Sequence, residues 1–347
     1  METEKAQGSK LTTFLKWVGC ITAVLSLFAG IRELVKLFAG RVESHKKIET
    51  LVATAGIERQ GHDYRAAWRT LEQAAQVEPG AAQVLAAQEQ LALAWLEDVR
   101  PHEGEKFADI TGKLEPVLWR AITATQDAQK KADLLAHLGW AYFLRSREGA
   151  TGLDPVFLYV QAVELDPHNP YAHVFWGHWI LWRNGALVEA EQHFAAALQA
   201  NRERALVRKF QLSALNNRPF DESLEPMLRV ANEIRKEHGA VDDYTAGEMF
   251  SRYADKIFSA EPAANPFMKV VPPVEHVATF HWLFDTLPCD ESKALVRQTY
   301  LALLQEAAGQ REDALNNYQS IRAKEPAGSG SLFNAVDAGI QRLSTAH

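Results

Sequence analysis

The feature that most constrains the fold of this 347-residue chain is a helical spacing that recurs along it. A small residue, a large residue and a second small or branched residue stand at offsets 0, 4 and 7, and a residue that ends the unit, most often proline, follows at offset 12. Offsets 0, 4 and 7 share one face of an α-helix, so a second helix can pack there, and proline cannot continue the helix. The copies are Ala67, Leu71, Ala74 and Pro79; Pro155, Tyr159, Ala162 and Pro167; Ala190, Phe194, Ala197 and Arg202; Ala314, Tyr318, Ile321 and Pro326; and a weaker set, Leu224, Leu228, Ala231 and Lys236.

A second pattern lies upstream of two of these copies and predicts a partner helix. It places apolar residues around a glycine, and glycine allows two helices to approach closely. The residues are Leu135, Leu138, Gly139 and Tyr142 in one unit, and His173, Trp176, Gly177 and Ile180 in the next. Each unit is therefore predicted to be a helix, a tight turn and a second helix.

These units resemble the tetratricopeptide (TPR) repeat, a helical hairpin of about 34 residues. The resemblance implies an all-α fold, a TPR-like α-solenoid in which hairpins stack side by side. We expect this repeat domain to span 48–330, followed by a C-terminal capping helix over 331–347. Its clear units are about 48–81, 132–169, 170–203 and 293–327, and degenerate units are expected at 82–130, 204–238 and 240–290. The unit at 132–169 is longer than the repeat, with about four extra residues around 147–152.

The first 47 residues differ from the repeats in having an apolar centre and basic flanks. Residues 17–31 carry no charge, and extension back to Leu11 gives a 21-residue segment. A helix of that length covers about 30 Å, the thickness of a bilayer's hydrocarbon core. We therefore predict a short tail at 1–10, a transmembrane helix at 11–31 and a basic juxtamembrane helix at 32–47. A cleaved signal peptide is the alternative, but no convincing small-x-small cleavage site follows the apolar segment.

The basic residues around this segment predict its orientation. Three lysines precede the apolar centre and five Lys or Arg residues follow it by position 47. Because positive flanks stay in the cytoplasm, we expect a single-pass protein of the bacterial inner membrane with its C-terminal domain in the cytoplasm. The opposite orientation, with the domain in the periplasm, is the alternative.

Composition and charge exclude several classes of protein. Two cysteines, Cys20 and Cys289, cannot form a disulfide framework or a cysteine-based zinc cluster. The chain has a net charge of −7, and the part after residue 47 holds 29 Lys and Arg against 40 Asp and Glu, a net charge of −11. Such an acidic domain does not suit a phosphate backbone, so no nucleic-acid partner is expected. It favours a basic protein partner through electrostatic steering.

The resemblance also implies which side chains line the inner surface of the stacked hairpins. The first helix of each unit contributes them, and together they form an aromatic wall beside an amide-rich patch. Such a surface can bind the side chains and backbone of an extended or helical peptide. The alternative is that these residues pack inside the domain. The candidate partner-binding residues are Trp140, Phe143, Tyr171, His178, Trp182, Lys209, Ser213 and Asn216, and Asp133, Val174, Leu181 and Asn217 share the same inward positions.

Catalytic and metal-binding motifs are weak in this sequence. The nearest histidines, as in the pairs His173 with His178 and His276 with His281, are five residues apart, whereas ligands on one helix face need a spacing of three or four. The chain has no P-loop, no G-x-G-x-x-G after a strand and no G-x-S-x-G elbow. We therefore predict that the protein is not an enzyme and that it binds no cofactor and no metal ion.

Taken together, these patterns predict a membrane-anchored TPR-like scaffold or adaptor that captures a segment of a protein partner, itself basic or membrane-associated. A periplasm-facing envelope assembly or chaperone-like factor is the alternative. An enzyme with a site within 240–290 is a distant third.

Overall fold

A computed structural model describes residues 41–149, 154–236, 277–278, 281–282, 285, 291–328 and 330–345. Within these ranges the chain is all helix and connecting turns, without a β-strand. This confirms the all-α prediction. The contacts divide the chain into two compact units, Met1–Arg100 and Pro101–His347.

The first unit contains three described helices: α1 over 41–60, α2 over Tyr64–Val77 and α3 over Ala82–Glu97. Asp63 caps α2, because its side chain accepts a hydrogen bond from the backbone N–H of Ala66. The three residues at offsets 0, 4 and 7, Ala67, Leu71 and Ala74, are all fully buried. The repeat spacing therefore marks the packed face of α2.

The structure gives the bounds of ten helices in the second unit, and the described residues between 277 and 285 are helical as well. Two prolines stand at the first helical position of α6 and α7, where their fixed φ suits the helix and no N–H is needed. The helices are α4 Phe107–Ala124, α5 Ala128–Ser146, α6 Pro155–Leu165, α7 Pro170–Trp182, α8 Leu187–Gln199, α9 Arg204–Asn216, α10 Phe220–Lys236, α11 Glu291–Ala307, α12 Arg311–Lys324 and α13 Ser331–Ser344.

Neighbouring helices of this unit pair as hairpins, α5 with α6, α7 with α8 and α11 with α12. The first helices also pack on one another, α5 on α7 and α7 on α9, and α13 packs on α12. This pairing is the arrangement expected of helical repeats. Asp154 and Asn169 cap α6 and α7 through their side chains, so each of these two helices begins at a defined residue.

Two glycines determine how closely the helices of a hairpin approach. A Cβ added at Gly139 of α5 would lie 2.5 Å from Cε1 of Tyr159 in α6. A Cβ at Gly177 of α7 would lie 2.9 Å from Cε1 of Phe194 and 3.2 Å from the carbonyl oxygen of Ala190 in α8. Each glycine thus faces the large residue of the repeat spacing, as the upstream pattern predicted.

The prediction of a single-pass membrane protein is corrected. Among the residues with described structure, none of the helices combines the length and the apolar character that a bilayer crossing requires. The long helices α4 and α5 each carry several charged residues, Asp109 and Lys113 in one and Lys130 and Asp133 in the other. The predicted tail, the predicted transmembrane segment 11–31 and residues 32–40 lie outside the described residues. The predicted localisation as a single-pass membrane protein is not supported by the described helices.

Candidate partner-binding surface

The first helices α5, α7 and α9 meet through a cluster of aromatic rings. Trp140 of α5 stacks on Phe175 of α7 with ring centroids 4.9 Å apart, and Phe210 of α9 meets Trp140 edge-on at 5.0 Å. His178 of α7 also lies edge-on to Trp140 at 5.0 Å, and the ring of Phe143 lies 5.6 Å from that of His178. This aromatic cluster joins three successive first helices.

Three candidate partner-binding residues lie inside this cluster and are assigned to packing. Trp140, Phe143 and His178 are 4%, 0% and 3% exposed, so a partner cannot reach them without opening the cluster. Val174 and Leu181, at the same inward positions, are also buried. The physical reason is that the inward side of α5 is also the side on which α7 packs. The sequence placed these side chains on the inward side of their helices, but it could not show whether a partner or a neighbouring helix contacts them there.

The other five candidates keep exposed surface. Trp182, the last residue of α7, is 37% exposed and touches the cluster through Phe143, at 5.9 Å between ring centroids. Lys209, Ser213 and Asn216 are partly exposed and share one face of α9, at spacings of four and three residues. Arg218, beyond α9, donates a hydrogen bond to Asn184, beyond α7, at 3.4 Å, so the two helices end side by side. We call Trp182, Lys209, Ser213 and Asn216 the α7–α9 surface.

Asn216 carries an unusual feature for a residue at the edge of such a surface. Its Oδ1 atom is buried and accepts no hydrogen bond from the residues that the structure describes. A buried acceptor without a donor costs about 1–3 kcal/mol.

The extra residues after α5 hold the edge of the α7–α9 surface. Arg147 places its guanidinium carbon 4.2 Å from the centre of the Trp182 ring and 5.2 Å from that of Phe107 in α4. Burial lowers the pKa of the Arg147 guanidinium from its ordinary value, and the neighbouring Glu148 opposes that shift. The Glu148 carboxylate accepts hydrogen bonds from the backbone N–H groups of Phe107 and Ala108, at 2.7 and 3.0 Å. Two charged residues of the insertion therefore join α4, α5 and α7.

Sequence reasoning did not assign a role to Arg147 or Glu148. The signal was present, because the interval from Gly139 to Pro155 is 16 residues and longer than the repeat requires. The length of this interval showed that extra residues are inserted between α5 and α6. It could not show that Glu148 caps a helix that begins about 40 residues earlier.

Tyr171, the fifth exposed candidate, lies at the other end of α7 beside a polar network. Its ring centroid is 4.5 Å from that of His137 and 5.7 Å from the guanidinium carbon of Arg202. Arg202 pairs with Asp133 and Asp166, with N–O distances of 2.9 and 3.3 Å. Burial alone would lower the pKa of Arg202, but the hydrogen bond and the charge of Asp133 raise it above its ordinary value. Asp133, predicted to face a partner, is therefore engaged inside the domain.

Comparisons with known proteins add little to this geometry. The sequence matches no protein-family model, and the search of curated proteins found no match to it. Among solved structures, a tetratricopeptide repeat protein from Parabacteroides merdae is 15% identical. That alignment covers 86% of this chain and all of the other, with a TM-score of 0.36. A likeness at this level supports no conclusion about fold or function, so the assignment to helical hairpins rests on the packing described above.

Proposed function

We propose that this protein is a non-catalytic interaction scaffold that captures a segment of a protein partner on the α7–α9 surface. The observation that carries the proposal is the position of Trp182. Trp182 is 37% exposed at the end of a helix, and its ring contacts Phe143 edge-on and the guanidinium group of Arg147. A large aromatic side chain that is held in place and still accessible is typical of the few residues that dominate a binding interface.

The chemistry around Trp182 suggests which segment it would accept. Ser213 and Asn216 are partly exposed on α9 and carry polar groups that can hydrogen-bond to the backbone of an extended peptide. Arg147 lies on the Trp182 ring and Lys209 lies on the neighbouring helix. These local cations favour an apolar side chain with an acidic residue nearby. The net charge of the domain favoured a basic partner, whereas the cations beside Trp182 favour an acidic one. Salt screens the distant charges of the domain more than charges in direct contact, so the proposal follows the local cations.

The test is a peptide selection followed by one substitution. A displayed library of peptide segments is selected against the full chain, and the dissociation constant of a selected peptide is measured for the wild type and for Trp182→Ala. We expect selected peptides to share an aromatic or branched residue beside Asp or Glu. We expect Trp182→Ala to weaken binding by about 2 kcal/mol or more, with little change in melting temperature.

Trp119 provides a matched control. It is 42% exposed and lies on α4. Trp119→Ala therefore removes a tryptophan side chain of similar exposure that is not part of the α7–α9 surface. That variant should bind the selected peptide as tightly as the wild type. Equal affinity of the wild type and Trp182→Ala for every selected peptide would place the binding site elsewhere and contradict the proposal.

A further inference from the structure

Two histidines that are 20 residues apart in sequence meet inside one hairpin. His173 lies in the first turn of α7 and His193 lies in α8, and their Nδ1 atoms are 3.0 Å apart. The spacing of histidines along the sequence did not reveal this pair, because it forms only when the two helices of the hairpin pack.

The hydrogen bonds of His173 determine where its proton lies. Its Nε2 atom is 2.9 Å from the carbonyl oxygen of Pro167. A carbonyl oxygen only accepts, so Nε2 carries the proton and donates it. The Nδ1 atom of His173 is then left with a lone pair directed at His193. A backbone carbonyl that fixes a histidine in this way is the usual support behind a metal-binding imidazole.

Both imidazoles are held in the neutral state. Burial lowers the pKa of His173, and the hydrogen bond to Pro167 opposes this shift without cancelling it. Burial and the neighbouring His173 lower the pKa of His193 to about 4. Only a neutral imidazole can bind a metal ion, so at pH 7 protons do not compete for this pair.

We propose that His173 and His193 form a binding site for a divalent transition-metal ion of the zinc or copper class, with the Nδ1 atom of each histidine as a ligand. Zinc–imidazole bonds are about 2.0–2.1 Å long, and two such ligands at angles of about 90–110° have nitrogen atoms about 2.9–3.4 Å apart. The observed 3.0 Å lies within that range. On binding, the proton of His193 moves through solvent from Nδ1 to Nε2, so both imidazoles stay neutral.

The surroundings of the pair allow an ion to enter. His173 is 8% exposed and His193 is half-buried, so an ion would approach the pair from the α8 side. The ring of Trp176 lies 4.5 Å from that of His193 and restricts its orientation. No three His, Cys, Asp or Glu side chains of the described residues converge on one point. Two ligands therefore come from the protein, one fewer than in the usual open zinc site, and water would complete the coordination.

The experiment is a calorimetric titration of the full chain, without a histidine tag, with Zn²⁺, Cu²⁺ and Mg²⁺. We expect one saturable site that binds Cu²⁺ more tightly than Zn²⁺, as nitrogen ligands do, and no binding of Mg²⁺, which prefers oxygen. The test variant is His193→Asn, because the asparagine amide can donate to His173 where Nδ1–H did but is a poor metal ligand. It should weaken Zn²⁺ binding about tenfold or more, since even supporting residues behind a ligand contribute that much.

Two controls separate this site from adventitious binding. His102→Asn makes the same change at an exposed histidine outside the pair and should leave the affinity for Zn²⁺ unchanged. In the wild type, Zn²⁺ should protect His193 from modification by diethyl pyrocarbonate, a readout that needs no variant and holds even if His193→Asn does not fold. Unchanged affinity in a folded His193→Asn variant, no saturable Zn²⁺ binding, or unchanged modification of His193 would each overturn the proposal.

Discussion

Arg202, in the turn between α8 and α9, donates two hydrogen bonds to the carboxylate of Asp133 in α5, at 3.1 and 2.9 Å across 69 residues of sequence. Asn169, the residue that caps α7, donates to the same carboxylate at 2.6 Å. One carboxylate thus connects the second turn of α5, the start of α7 and the turn between α8 and α9. Because the pair is forked and only 21–28% exposed, it is expected to stabilise more than an ordinary surface ion pair.

A double-mutant cycle of Asp133→Asn and Arg202→Gln should measure that contribution. We expect a coupling energy of about 1–2 kcal/mol in chemical denaturation, above the usual 0.2–1 kcal/mol of exposed pairs. The pair of Arg229 with Glu191, which is 50% and 36% exposed, is the control and should give a smaller value. Equal coupling in the two pairs would mean that the network adds nothing beyond surface attraction.

Gly139 should tolerate no side chain. In Gly139→Ala the new methyl group would overlap the buried ring of Tyr159, and overpacking of this kind costs about 1–3 kcal/mol. Gly112→Ala is the matched change, because Gly112 lies in α4 with nothing within 4 Å of an added Cβ. That variant should be stabilised by about 0.5–1 kcal/mol through helix propensity. Thermal or urea unfolding of the two variants should therefore show shifts of opposite sign.

Two tyrosines at the same position of the repeat spacing should respond differently to removal of the hydroxyl. Tyr318 donates to Glu306 at 2.9 Å, whereas the buried hydroxyl of Tyr159 has no partner among the described residues. Tyr318→Phe should lose about 1.5–3 kcal/mol, the usual value of a hydrogen bond to a charged group. Tyr159→Phe should be neutral or slightly stabilising, because no hydrogen bond is lost. A loss in Tyr159→Phe as large as that in Tyr318→Phe would show that its hydroxyl does have a partner in solution.

Glu148 should govern the beginning of α4. Its carboxylate accepts from two backbone N–H groups that have no partner within the helix, and it lies at the positive end of the helix dipole. Glu148→Gln should destabilise the protein by about 1 kcal/mol and speed amide hydrogen exchange at Phe107 and Ala108. Glu164→Gln, at an exposed residue of α6, makes the same substitution without a helix start and should leave both amides unchanged. Slow exchange at Phe107 and Ala108 in Glu148→Gln would show that other groups cap α4.

The sequence by itself was enough to predict which residues pack within a hairpin. Gly139 faces Tyr159 and Gly177 faces Phe194, as the two spacings indicated, because contacts within a hairpin follow from helical periodicity and a short turn. Local periodicity carries this information without reference to the rest of the fold. The inward positions of Trp140 and Trp182 were implied by the resemblance to the tetratricopeptide repeat and not by this periodicity.

Only the tertiary structure decided what those inward side chains do. Trp140 is enclosed by Phe175 and Phe210 from two later helices, whereas Trp182 keeps exposed surface at the end of its helix. Burial depends on how neighbouring hairpins stack, and no single repeat encodes that. The pair of His173 with His193 and that of Asp133 with Arg202 have the same origin. Each joins residues on different helices, whose distance is set by packing and not by spacing along the chain.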